Sequence, residues 1–240
     1  MLEAHLDESN THEQSPLVLS AGYLFTPDGS RAFADLWKPF LESRGMAYFH
    51  ANKCNDEEVF SALIHLVIGT AEIGFVRFAT REMLKRQHPR LRQFTGSPYA
   101  LCTLSCMEQM AEFAKERNET VLYFVEGGNE YQGEIDHFIS QIKHDPELRD
   151  RFSMEQRSGT FDKKQVIHLQ AADLLGWQFQ RAYAGAISAE REKLIQNFKK
   201  IPHRLSCFNH ISLSMQAVTN SVLRLMSNRK YVASGLSRRS

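Results

Sequence analysis

The chain has 240 residues, of which 42% are hydrophobic and 24% charged, ordinary proportions for a globular protein with a buried core in one large domain or two small ones. A formal net charge of +1 excludes a chain that is basic throughout, so affinity for a polyanion must rest on local clusters. No apolar run approaches the roughly 18–20 residues of a membrane span, so no membrane partner is expected, and the opening MLEAHLDES lacks a basic region followed by an apolar stretch, so a cytoplasmic protein is expected.

Leu2, Ala4 and Leu6 alternate with Glu3, His5 and Asp7, which predicts a strand over 2–6. DESNTHEQSP (7–16) predicts a polar turn and PLVLSAGYLFT (16–26) a β-rich return, so the two pair as a hairpin. Residues 29–44 predict a helix around Trp37, Phe40 and Leu41, and AYFH (47–50) a short strand or extended edge. Asn55 or Asp56 caps a further helix that carries acids in its first turn and stops at Gly69. EIGFVRFATR (72–81) predicts a strand leading into REMLKRQHPRLRQ, where Arg81, Lys85, Arg86, Arg90 and Arg92 face only Glu82 in opposition. That cluster suits a nucleic acid, and a solvated helix face accounts for it equally. A second basic run, KKIPHR, spans 199–204.

A long helix is expected over 98–117, followed by ETVLYFVEGGNE. Val121 to Val125 is continuously apolar, the pattern of a strand covered on both faces. It ends at Glu126 before Gly127 and Gly128, and the carboxyl end of a buried strand is where open α/β sheets place their chemistry. A helix over 130–145 and a short strand at FSMEQRS (152–158) come next, then a loop with Lys163 and Lys164, which turn to phosphate or to solvent. VIHLQAADLLGWQFQRAY (166–183) predicts one amphipathic helix. Ala171, Ala172, Leu175, Phe179, Ala182 and Tyr183 share one arc, and Gln170, Asp173, Trp177, Gln180 and Arg181 the other. The second arc is wet surface or the wall of a site, and for Asp173 by itself the helix dipole is a sufficient reason. Helices over 188–200 and 211–227 complete the chain, with a frayed tail from 228. Cys54, Cys102, Cys106 and Cys207 lack metal-ligand spacing and are expected as buried free thiols.

The expected fold class is therefore α/β, one domain with C-terminal helical additions. Asp7 with Glu8, then Glu126, then Asp173 are carboxylates on separate elements. Two-metal hydrolysis of phosphodiesters requires such a convergence, with hard cations held by acids, water and substrate phosphate. Among 28 acids the spacing alone is weak.

The residues also carry a resemblance. LDES at the start, YFVEGGNE in the middle and LQAADLLGW late in the chain together resemble the domain-of-unknown-function 3800 family, over roughly residues 2–185. The resemblance implies an RNase H-like mixed sheet flanked by helices over 1–185, with a helical extension over 186–240 packed on it. It also implies a nuclease site in which Asp7, Glu126 and Asp173 hold Mg²⁺ or Mn²⁺. Glu8 and Glu130 are further candidates, since Glu130 lies four residues after Glu126 and either can serve as the middle acid. His50 matches a frequent family His and, with Gln170, is a candidate substrate contact. Asn10 stands where the family motif has Gly, a turn position that Asn tolerates. Two rivals remain: a non-catalytic nucleic-acid-binding or adaptor subunit with the same fold, and a small-molecule phosphohydrolase. Pairing with a second copy or with a partner protein is left open.

Overall fold

The structure, a computed structural model, describes residues 1–9, 17–80, 82, 97–128, 130–184 and 200–207. Its centre is a mixed sheet of six strands: β1 (Leu2–Ser9), β2 (Leu17–Phe25), β3 (Ala71–Thr80), β4 (Val121–Glu126), β5 (Gly159–Phe161) and β6 (His203–Cys207). Their order across the sheet is β5-β4-β1-β2-β3-β6. β1 and β2 form the expected hairpin, with Glu3 opposite Phe25 and Asp7 opposite Ala21, and β3 adds antiparallel to β2. β4 lies parallel beside β1, β5 parallel beside β4, and β6 parallel beside β3. The fold is α/β, a mixed sheet flanked by helices on both faces.

Alternation along the central strands sets the two faces. Leu2, Ala4 and Leu6 of β1, with Val121, Tyr123 and Val125 of β4, pack against α3 (Pro98–Lys115) and α4 (Gln132–His144). The opposite face carries Leu19, Ala21, Tyr23 and Phe25 of β2, covered by α1 (Pro27–Ser43), α2 (Glu57–Thr70) and α6 (Leu169–Tyr183). Helix starts follow local chemistry. Thr26, Asp56 and Ser97 each accept a backbone N–H of the first turn, and Pro27 and Pro98 take the position that needs no N–H donor. Gly22 is required where β2 crosses β1, since a Cβ there would lie 2.3 Å from the His5 carbonyl oxygen.

Several boundaries differ from expectation. β1 continues through Asp7 to Ser9, so Asp7 lies inside the strand and not in the turn after it. AYFH is not a strand. The Phe49 N–H donates to the Gln170 side chain and the Ala51 N–H to Asp173, so side chains of α6 replace a strand partner. The expected helix over 130–145 is followed by a second, α5 (Pro146–Arg151), capped by Asp145, because the residue before a proline is pushed out of helical geometry. The short strand expected at 152–158 lies later, at Gly159–Phe161, and only Met154 of the earlier stretch bridges to Val121. α6 begins at Leu169, after a series of turns. The stretch expected as helical extension contributes β6, and the helices expected over 188–200 and 211–227 fall outside the described residues apart from Lys200. Cys54, Cys102 and Cys106 are buried thiols outside any disulfide, as expected. Among the described residues no helix is long and apolar enough to cross a membrane.

Candidate active site

The site lies on the α6 side of the sheet. Asp7 follows Leu6 and Glu126 follows Val125, and Leu6 and Val125 are register partners in the parallel β1–β4 pair. Parallel register thus sets two carboxylates side by side on one face. α6 crosses that face and supplies Asp173. The fourth group is Lys163, from the loop between β5 and α6, whose ammonium enters the space among the acids. Lys163 Nζ lies 2.7 Å from Glu126 Oε1, 3.3 Å from Asp7 Oδ2 and 3.9 Å from Asp173 Oδ1. Side-chain exposure is 2% for Asp7, 12% for Asp173 and 14% for both Glu126 and Lys163. Three acids from separate elements therefore meet one cation in a nearly closed space.

The three carboxylates are not equivalent. Burial, together with the Asp173 charge, pushes the Asp7 carboxyl up to about 7, with Lys163 opposing. One of its oxygens, Oδ1, is buried without a hydrogen-bond partner. Burial also acts on Asp173, but the His50 ring, the Lys163 ammonium and the Ala51 N–H outweigh it and hold that carboxyl below the usual range. The Ala51 N–H donates to Asp173 Oδ2 at 2.8 Å. His50 Nδ1 lies 3.3 Å from the same oxygen. Burial would lower the Lys163 ammonium, yet the neighbouring Asp7 and Asp173 charges raise it. The centre is an acid cluster held around an internal cation.

Among the described residues no group of three or more His, Cys, Asp or Glu side chains stands close enough to hold a metal ion. Lys163 Nζ occupies the space among the three carboxylates, its shortest contact 2.7 Å to Glu126. The donor set is nevertheless all oxygen, and the orphaned Asp7 Oδ1 retains acceptor capacity, which fits a hard cation once the ammonium withdraws.

The remaining candidates separate clearly. Glu8 alternates to the other sheet face, where it interacts with Tyr99. Glu130 is exposed in the turn before α4, so of the two middle acids the cluster contains Glu126. Gln170 corrects the amphipathic reading of α6. It is fully buried, accepting from Trp37 Nε1 at 2.9 Å and from the Phe49 N–H at 3.0 Å, and donating to the Lys163 carbonyl at 3.2 Å. Its amide cannot reach substrate; it anchors the loop that carries Lys163. Trp177 and Gln178 are buried as well, because α6 is covered by the sheet on one side and by α1, α2 and the 47–54 loop on the other. Asp173 lies beyond the first turn of α6, which contains no acid, so the helix dipole does not account for it. Lys163 points inward, whereas Lys164 is exposed and lies over the Tyr48 ring. Arg81, Lys85, Arg86, Arg90 and Arg92 lie outside the described residues. In the second basic run, Arg204 pairs with Glu116.

Two features escaped the sequence reading. The role of Lys163 as the central cation has no local signature. A second buried polar group, formed by Glu3, His5, Ser30 and His168, lies deeper on the same face. Ser30 Oγ donates to Glu3 at 2.6 Å, and His168 Nε2 lies 2.8 Å from the Ser30 carbonyl. His5 is stacked between Phe124 and His168, at ring-centroid distances of 4.7 Å and 4.4 Å.

No family model matches the chain, and no curated protein does. Among solved structures it is similar to a chain of the PCNA:RNase HII complex from Archaeoglobus fulgidus and to ribonuclease H2 from Pyrococcus horikoshii OT3. Each match has a TM-score of 0.44 at 14% sequence identity and covers 82% of this chain and 76% of the other. At that distance the likeness says nothing of activity.

Proposed function

We propose that the protein is an RNase H-like, divalent-metal-dependent phosphodiesterase acting on nucleic acid, with Asp7, Glu126 and Asp173 as the residues that would hold Mg²⁺ or Mn²⁺. The observation that carries this reading is the meeting of three acids from β1, β4 and α6 around one cation. Each belongs to one of the three motifs on which the family resemblance rests. Bound there, a divalent ion supplies an activated water and stabilises the departing oxygen of a phosphodiester.

The chain's own residues prepare the place. Parallel β1–β4 pairing fixes Asp7 beside Glu126. The Ala51 N–H and the His50 ring hold Asp173 ionised and oriented. Gln170 ties the Phe49 backbone to the Lys163 loop, joining two walls of the site. Lys164 is exposed beside this loop, over the Tyr48 ring. The basic segment from Arg81 to Arg92 leaves the sheet after Thr80, whose register partner is Leu17. Leu17 lies at the end of β2 that faces Ser9 of β1, so the segment starts from the end of the sheet that bears Asp7, and it is proposed to track the nucleic-acid backbone.

The test is incubation with single-stranded, duplex and hybrid substrates in Mg²⁺ or Mn²⁺. Cleavage of at least one is expected, falling by at least about a hundredfold in Asp7→Asn and Asp173→Asn, in keeping with the loss of a group needed for transition-state charge. Cleavage that survives EDTA or both substitutions ends the proposal. The non-catalytic reading is favoured by one feature, the pairing of all three acids with Lys163. Salt-sensitive binding without cleavage of any substrate would establish it.

A further inference from the structure

The Lys163 ammonium is not a surface charge that happens to lie near acids. Its backbone carbonyl is held by Gln170, which is itself fixed by Trp37 and Phe49. The preceding turn is closed by Asp162, whose carbonyl accepts from Gln165 and Val166 and whose side chain accepts from the Lys164 N–H. The chain thus delivers a long, flexible side chain from a fixed point into a space where only its last atom is polar. A buried ammonium is costly unless paired, and here it has three carboxylate neighbours within 3.9 Å. Conversely, without it Asp7, Glu126 and Asp173 would face one another with no cation among the described contacts. Asp7, at 2% exposure, already has one oxygen without a partner.

An ammonium and a divalent ion cannot occupy the same point among three carboxylates. We propose that Lys163 is an internal competitor cation: it fills the acid cluster of the metal-free protein, and a divalent ion enters only by displacing it outward. The inference rests on the metal reading of the site given above and adds the device that sets its metal threshold. Displacement requires no backbone movement, since the four-carbon stem of lysine rotates freely while Gln170 keeps hold of the main chain.

The test uses Mn²⁺ alone, titrated calorimetrically into wild type, Lys163→Met and, as a control on the exposed neighbour, Lys164→Met. Removal of the competitor should tighten Mn²⁺ binding at least about tenfold in Lys163→Met and leave Lys164→Met unchanged. Equal or weaker binding in a folded Lys163→Met overturns the competition while leaving the metal reading intact. Absence of Mn²⁺ binding in all three proteins overturns both. To make the answer independent of how Lys163→Met folds, the same question is put to wild type by amine acetylation read by mass spectrometry. Lys163 should be modified several-fold faster in saturating Mn²⁺ than in EDTA, with Lys164 unaffected. A rate at Lys163 that Mn²⁺ does not raise overturns the proposal.

Discussion

Two polar groups are buried on the same face of β1, two residues apart, and they differ in kind. Around His5, the Glu3, Ser30 and His168 side chains answer one another by hydrogen bonds, and His5 itself is held by ring stacking. Around Asp7, three carboxyl groups are held by one cation. Burial suppresses the charge of His5, bringing its pKa down to about 3, whereas in the acid cluster it raises Asp7 to about 7 while His50, Lys163 and the Ala51 N–H hold Asp173 ionised. Burial of polar atoms therefore does not mark a site. What marks it is charge that the fold retains in spite of burial.

The largest effect that would sharpen this contrast comes from Gln170, which serves the charged cluster without belonging to it. Gln170→Leu leaves the Trp37 indole N–H, the Phe49 N–H and the Lys163 carbonyl without their present partner. At about 1–3 kcal/mol for each buried group left unsatisfied, a loss of roughly 3–5 kcal/mol is expected in urea unfolding at pH 7. A loss below about 1 kcal/mol would mean that the amide is replaceable and that the two walls of the site are not joined through it.

The two groups should also respond to pH in opposite directions. His5 titrates near 6.5 when unfolded and about 3 when folded, so between those values only the unfolded chain binds the proton. Its contribution is complete above 6.5 and is lost as pH falls toward 3. Asp7 is raised from 3.8 to about 7, so its contribution is complete below 3.8 and is lost as pH rises through 7. At about 1.4 kcal/mol per pKa unit, His5→Phe should recover about 2–3 kcal/mol of the stability that wild type loses between pH 7 and pH 4. Phe preserves the stack with Phe124 and His168. In the metal-free protein Asp7→Asn should exceed wild type at pH 8 and match it near pH 4. Urea unfolding across this range measures both. Parallel curves for wild type and His5→Phe would show that His5 is protonated in the fold, and the contrast would fail.

The three motif acids and the hairpin were legible because alternation and sequence order carry them: Asp7 falls on the Glu3–His5 face of β1, and Glu126 closes an apolar run. The middle acid could not be chosen from spacing, since Glu126 and Glu130 differ by one helical turn in a stretch where strand passes into helix. Gln170 falls on the arc read as wet surface or the wall of a site, and its full burial is invisible there because a helical wheel knows one helix only. The cover that α1 and the 47–54 loop place over α6 comes from residues more than a hundred positions away. β6 was hidden for the same reason: His203–Cys207 is short, and its strand character comes from pairing with β3. Lys163 resembles any loop lysine until the fold surrounds it with acids.

The smallest expected effect separates Glu126 from Glu130. Glu126 ends β4, 14% exposed, with Oε1 2.7 Å from Lys163 Nζ. The chain then turns through Gly128, which has a positive φ of 95° and donates its N–H to Gln132. That turn carries Glu130 out to the surface before α4 begins. An exposed acid away from caps and networks changes stability by less than about 0.5 kcal/mol when neutralised. Glu130→Gln should therefore match wild type in EDTA and keep the full Mn²⁺ stabilisation, about 2.7 kcal/mol at a hundredfold excess over Kd. Glu126→Gln should lose most of that stabilisation, because its carboxylate is one of the three that face the cation. Thermal melts of both variants, with and without Mn²⁺, decide the point. If Glu130→Gln loses the Mn²⁺ shift and Glu126→Gln keeps it, the working acid is the one on the turn, and the cluster around Lys163 is a structural ion pair like many others.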